Sequence, residues 1–251
     1  MRSGFRLSPN FGLLVAIAAL TGAVAYLGLI SSNLTVFLFV AAGWIISLCL
    51  HEFGHALAAY FGGDYTVADQ GYLSLDPLKY THPVLSIVFP LIFLIMGGIG
   101  LPGGAVYIRY DLLYSRLWRG LVSAAGPLGT LACFIVLWLP FFFGWADLEH
   151  VEFWAAWALL AFLQLTALFI NLLPIPGLDG YGILEPWLPY SIANTANAIR
   201  PYGFLILFLL FSYAPFVSNA FFSFIFNVAG LLRVDLGFVS LGFDLFRFWS
   251  S

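Results

Sequence analysis

Charge is scarce in this 251-residue chain: nine Lys and Arg and twelve Asp and Glu make up only 8% of it. An ordinary soluble domain carries about 25% charged residues, so a water-facing surface cannot be built at this length. No basic excess exists either, since the formal net charge is −3, and that excludes a face for nucleic acid. Cysteine is nearly absent. Cys49 and Cys133 both lie in apolar runs, which reads as packing and excludes a disulfide scaffold. Internal repeats and linkers are missing, and the polar stretches 62–83, 101–116 and 178–200 are too short for an independent core. What the chain has in abundance is hydrophobic residues, 62% in all, with 19% aromatic. It reads as an all-α polytopic membrane protein, one domain over 1–251, in contact with the lipid bilayer.

Apolar runs fall at 11–30, 36–61, 84–100, 117–143, 153–173 and 204–232. The first follows Arg2 and Arg6 but, at about 20 residues, has the length of a bilayer span rather than of a signal-peptide core, so it is expected to be a retained helix. The run 84–100 contains Pro90 and enters the glycine-rich stretch Gly97-Gly98-Ile99-Gly100-Leu101-Pro102-Gly103-Gly104. The last is interrupted at Ala214-Pro215 and reads either as one kinked helix or as two half-length ones. The expectation is about six transmembrane helices, with a re-entrant loop or small β element among them.

Ionisable groups inside such runs are costly, about 2.5–3.5 kcal/mol per charge even on lenient scales. The run 36–61 nevertheless ends with His51-Glu52-Phe53-Gly54-His55, an H-E-x-x-H pattern. Residues four apart share one helix face, so the two imidazoles can reach one metal ion, and the intervening Glu52 is placed to act as a general base. With 4 His and 4 Glu in 251 residues, random order yields this pattern about once in a thousand sequences. A catalytic zinc usually takes three protein ligands. His82 and His150 read as loop residues, whereas Asn171-Leu172-Leu173-Pro174-Ile175-Pro176-Gly177-Leu178-Asp179-Gly180 halts a helix with two prolines and then presents a carboxylate at membrane depth. Asp179 is the candidate third ligand, with Glu185 as the alternative; Asp179 also reads as a helix N-cap. Irregular backbone at that depth is tolerated only inside protein or beside a water-filled cavity.

Residue by residue, these motifs resemble the site-2 protease family of intramembrane zinc metalloproteases. His51, Glu52 and His55 match its H-E-x-x-H, and Asn171, Pro174, Leu178, Asp179 and Gly180 match its N-x-x-P-x-x-x-L-D-G. Ala125-Gly126-Pro127-Leu128-Gly129-Thr130 is similar to its Gly-Pro-x-x-Asn element, with Thr130 in place of the common asparagine. The resemblance covers a core at 37–185. It implies one zinc held by His51, His55 and Asp179, catalysis by Glu52, and Thr130 or Asn171 as donor to the oxyanion. It also implies that Gly103, Gly104, Ala105 and Val106 begin a strand that pairs with unwound substrate. The substrates it implies are membrane proteins: anti-sigma factors, other membrane-tethered regulators or leftover signal peptides.

Topology tests this reading. Short-loop Lys and Arg favour the cytoplasm, which places Arg2 and Arg6 inside and brings His51 toward the cytoplasmic half. Full crossing by 84–100 puts Arg109, Arg116 and Arg119 outside and Asp179 on the side away from the histidines. If 84–100 turns back, both problems vanish. The expectation is therefore a re-entrant 84–100 and a site facing the cytoplasm. Two other classes compete. One is a zinc-binding membrane protein that binds clients without cutting them, and the other is a channel or transporter with ionisable groups along its path. A rhomboid-like serine protease is disfavoured by the lack of its serine motif.

Overall fold

The computed structural model describes residues 6–30, 32–80 and 106–249. The segment 84–100, His82, Gly103, Gly104 and Ala105 lie outside the described residues. The chain opens with α1 (Pro9–Tyr26), where the Ser8 hydroxyl accepts from the Phe11 N–H at 3.0 Å and Pro9 takes the first helical position. It ends at Gly28, whose φ of +60° suits a residue without a Cβ. Then come α2 (Asn33–Phe61), α3 (Arg116–Phe142) and α4 (Val151–Asn171), followed by shorter α5 (Asp179–Leu184), α6 (Tyr190–Ile199), α7 (Gly203–Tyr213), α8 (Pro215–Leu231) and α9 (Leu236–Phe246).

Among the described residues four helices, α1 to α4, are long and apolar enough to cross a membrane, or five if the bent pair Tyr190–Tyr202 and Leu205–Tyr213 counts as one span. These helices, counted among the described residues and so without the run 84–100, make the chain an integral membrane protein. The run 204–232, which the sequence left as one kinked helix or two shorter ones, is two helices. Pro215 has no N–H to donate and forces its predecessor out of the helical region, so Ala214 sits at φ −117°, ψ 80°. The two pieces fold back until the Phe211 and Phe221 rings lie 5.1 Å apart.

The described residues contain no strand. Val106–Ile108, the described part of the expected β element, is irregular. Among the described residues no neighbouring strand accompanies it, and the Arg109 amide of this region donates to the Asp64 side-chain carboxylate.

Helix α4 forms the centre, apolar on all sides and buried along nearly all its length, as a helix without a polar face must be. It is packed by α2, α3 and α9. Gly242 of α9 lies against the Ala155 carbonyl, and Phe246 is buried with Val36, Val40 and Leu159. The C-terminal aromatics, which alone read as an interfacial segment, are thus partly core. Phe246 is enclosed, while Phe248 and Trp249 border Phe37 with rings 5.1 and 6.2 Å from it.

Hydrogen bonds fix which helix ends lie together. The Ser8 N–H donates to the Ser74 carbonyl at 3.0 Å and the Tyr114 N–H to the Gly62 carbonyl at 2.9 Å. The start of α1, the end of α2 and the start of α3 therefore share one end of the bundle. At the other end, Tyr26 stacks on His150 with centroids 3.9 Å apart. Tyr80 and Val106, which flank 81–105, meet in one apolar cluster.

Candidate metal centre

The site lies in the C-terminal third of α2, where His51 and His55 stand about 27 and 33 Å along the helix at 1.5 Å per residue. Helical spacing puts both rings on the face toward α3. Close approach of α3 depends on glycine: a Cβ on Gly54 would strike the Ala125 carbonyl, and one on Gly129 would strike the Leu50 carbonyl. Small residues at such contacts let membrane helices come backbone to backbone.

Each histidine is oriented through its Nδ1. His55 Nδ1 lies 2.7 Å from the Val122 carbonyl, which can only accept, so the proton sits on Nδ1 and Nε2 presents its lone pair. His51 Nδ1 lies 2.9 Å from the Thr130 hydroxyl. Both partners come from α3, and such contacts hold an imidazole in the tautomer and direction a metal needs.

The third group arrives from the other side of the bundle. Helix α4 stops at Asn171, and the Pro174 to Leu178 turn delivers Asp179 at the first position of α5. The glycine after it permits this, because a Cβ on Gly180 would strike the Leu172 carbonyl. Gly182 lies so close to α3 that a Cβ there would meet the Ser123 hydroxyl. Asp179 Oδ2 lies 3.2 Å from His51 Nε2, its Oδ1 3.2 Å from His55 Nε2, and the two Nε2 atoms are 3.1 Å apart.

Ligands around a tetrahedral zinc at about 2.0–2.1 Å stand about 3.3 Å from one another. The spacings of 3.1–3.2 Å match that edge length. The surroundings agree: a Cβ on Gly126 would fall on the two Nε2 atoms. The three residues form the group among the described residues that is placed to hold a metal ion. Beside them, Glu52 is 3% exposed and its Oε2 has no hydrogen-bond partner among the described residues.

The remaining candidates are placed as follows. Thr130 is buried on His51, and Asn171 is buried at the end of α4. Glu185 is engaged elsewhere, accepting from the Asn197 amide at 2.7 Å and lying 3.8 Å from Arg200. His150 pairs with Asp147 at the far end of the bundle. The Val122 carbonyl had no sign in the sequence, because a main-chain acceptor carries no residue-type signal.

Fold and site together define a zinc metalloprotease set among membrane helices. The chain is 43% identical to the zinc metalloprotease Rip2 of Mycolicibacterium smegmatis, over 100% of this chain and 97% of that one. It is 44% identical to Rip2 of Mycobacterium tuberculosis, over 99% and 96%. With the zinc metalloprotease YwhC of Bacillus subtilis it shares 33% identity over 66% of this chain and 77% of that one. No family model matches the chain, and no solved structure matches it. The chain belongs to the site-2 protease family, and its cofactor is one Zn²⁺.

Proposed function

We propose that this protein is an intramembrane endopeptidase that cuts single-span or anchored membrane proteins near the cytoplasmic end of their helix. The observation that carries this reading is the convergence of His51, His55 and Asp179 beside the buried, unpartnered Glu52 oxygen, inside a bundle of apolar helices. Zinc held by these three groups supplies a Lewis acid that polarises the scissile carbonyl and acidifies an attacking water. The chain's own residues do the rest. Glu52 takes the proton from that water through its free oxygen and returns it to the departing amine. Thr130 and the Val122 carbonyl keep both imidazoles aimed. Asn171 is the candidate donor to the developing oxyanion.

The shared bundle end of residues 8, 62, 74 and 114 supports a topology in which Arg6, Arg109, Arg116 and Arg119 lie together, on the cytoplasmic side. Membrane-tethered regulators, anti-sigma factors among them, and leftover signal peptides are the substrate classes that the family resemblance suggests. A client-binding protein without protease activity has no use for a base at Glu52.

The deciding experiment is Glu52→Gln. The variant keeps one zinc per chain by metal analysis and loses cleavage of a membrane-embedded reporter; wild-type-like cleavage excludes the mechanism. Single cysteines at Arg6 and Arg109, in a background without Cys49 and Cys133, are expected to label from the same membrane face. Labelling from opposite faces overturns the topology.

A further inference from the structure

Asp179 stands at the head of α5, a helix of only six residues. Helices shorter than about 12–15 residues are marginal on their own, so the direction of α5 is set by what it is tied to. Both flanks of Asp179 are tied to one segment, 193–203. Ahead of Asp179, Gly177 has a φ of +105°, and a Cβ there would strike the Arg200 carbonyl. A Cβ on Gly203 would fall on the Pro176 carbonyl. Main chain lies directly on main chain at these two glycines, an approach that no side chain permits.

Behind Asp179 the ties are polar. Tyr181 is buried, and its hydroxyl donates to Asn197 Oδ1 at 3.2 Å and to the Ala193 carbonyl at 3.4 Å. The Asn197 amide nitrogen in turn donates to Glu185 Oε1 at 2.7 Å. A carboxylate only accepts, which orients the amide with its nitrogen toward Glu185 and its oxygen toward Tyr181. Arg200 adds a longer contact to Glu185, at 3.8 Å. One side chain of α6 thus joins the first turn of α5 to the residue just past its end. Helix α6 has no buried residue, so its attachment is carried by these bonds and by the glycine contacts rather than by an apolar face.

We propose that Asn197 is a positioning residue for the metal centre: by bridging Tyr181 and Glu185 it sets the direction of α5, and with it the reach of Asp179 toward the two imidazoles. The inference concerns metal binding and stands whether or not the chain cuts membrane proteins. It is tested on the purified chain in detergent micelles. Competition with a chelator gives the Zn²⁺ affinity, and Co²⁺ in place of zinc gives a visible absorption band that reports the ligand geometry.

Asn197→Ala is expected to weaken Zn²⁺ binding about tenfold or more and to alter the Co²⁺ band. Asn194→Ala removes an exposed asparagine from the same helix and is expected to stay within about twofold of wild type. A third arm reverses the polarity of the bridge. Asn197→Asp sets two carboxylates against each other and is expected to lose at least as much affinity as the alanine variant. Adding Glu185→Gln returns a donor to the pair and is expected to recover most of that loss. Wild-type affinity with an unchanged Co²⁺ band in Asn197→Ala overturns the inference, as does an equal loss in Asn194→Ala or no recovery in the reversed pair. If Asn197→Ala does not fold, Tyr181→Phe serves, since it removes one hydroxyl from the bridge. It is expected to weaken Zn²⁺ binding a few-fold, and unchanged affinity there overturns the inference.

Discussion

Two His–Asp clusters stand at opposite ends of the bundle. At one, His150 Nδ1 lies 2.9 Å from Asp147 Oδ1, with the imidazole flat against Tyr26. At the other, His51 and His55 meet Asp179 at 3.2 Å. Judged by separation alone, these are the same contact. They differ in which ring nitrogen faces the acid and what the other one does. Asp147 Oδ1 also accepts the His150 main-chain N–H at 2.8 Å, so that cluster closes a turn ahead of α4. In the buried cluster both Nδ1 atoms are engaged by α3, leaving two Nε2 atoms and a carboxylate aimed at one point. A metal centre is recognised by where lone pairs converge, not by histidine near aspartate.

Removing ligands gives the largest contrast. Asp179→Ala and His55→Ala are each expected to fall from one zinc per chain to essentially none by mass spectrometry, whereas His150→Ala retains its zinc. Zinc loss in the His150 variant would erase the distinction. A middle-sized effect is expected at the partner of His51. Thr130→Val is nearly the same shape without the hydroxyl, and should weaken zinc binding about 10–100-fold, as loss of such supporting contacts does. Competition with a chelator measures it.

The smallest effect belongs to the exposed cluster. The His150 main-chain N–H holds the Asp147 carboxyl below its usual range, with the His150 side chain adding to this. A carboxyl lowered in the folded state stabilises fully above the unfolded value, about 3.9, and loses that contribution as pH falls through the folded one. The Tm gap between wild type and Asp147→Asn should thus stay level from pH 7 to about 5 and shrink below about 4. A gap that grows on acidification contradicts the assignment.

The metal half of the site was legible because it is written locally. The spacing of His51, Glu52 and His55 is a helix-face statement, and the prolines before Asp179 announce a break where lipid forbids one. Which membrane side the arginines occupy remains part of the proposal, and the structure adds only that Tyr114 meets Gly62, so the start of α3 lies beside the end of α2. Asp64 and Val122 were invisible, because their partners lie 45 and 67 residues away and are a main-chain amide and an imidazole that select no residue type. Thr130 was noticed for a different task, since a hydroxyl suits an oxyanion as well as an imidazole. The enclosure of Phe246 was not legible, because aromatic residues favour both headgroup depth and helix interiors, and packing against α2 and α4 is what buries it.

The enclosure of α4 bears on how the enzyme responds to its surroundings. The strut that brings the last ligand into place touches other helices on every side, whereas α7 and α8 present Tyr213, Phe216 and Leu231 outward. Acyl chains are thus expected to meet α7 and α8 directly, whereas the position of Asp179 is set by a helix enclosed in protein. Zinc retention should accordingly be insensitive to lipid composition, with any lipid dependence of turnover arising at the α7–α8 hairpin.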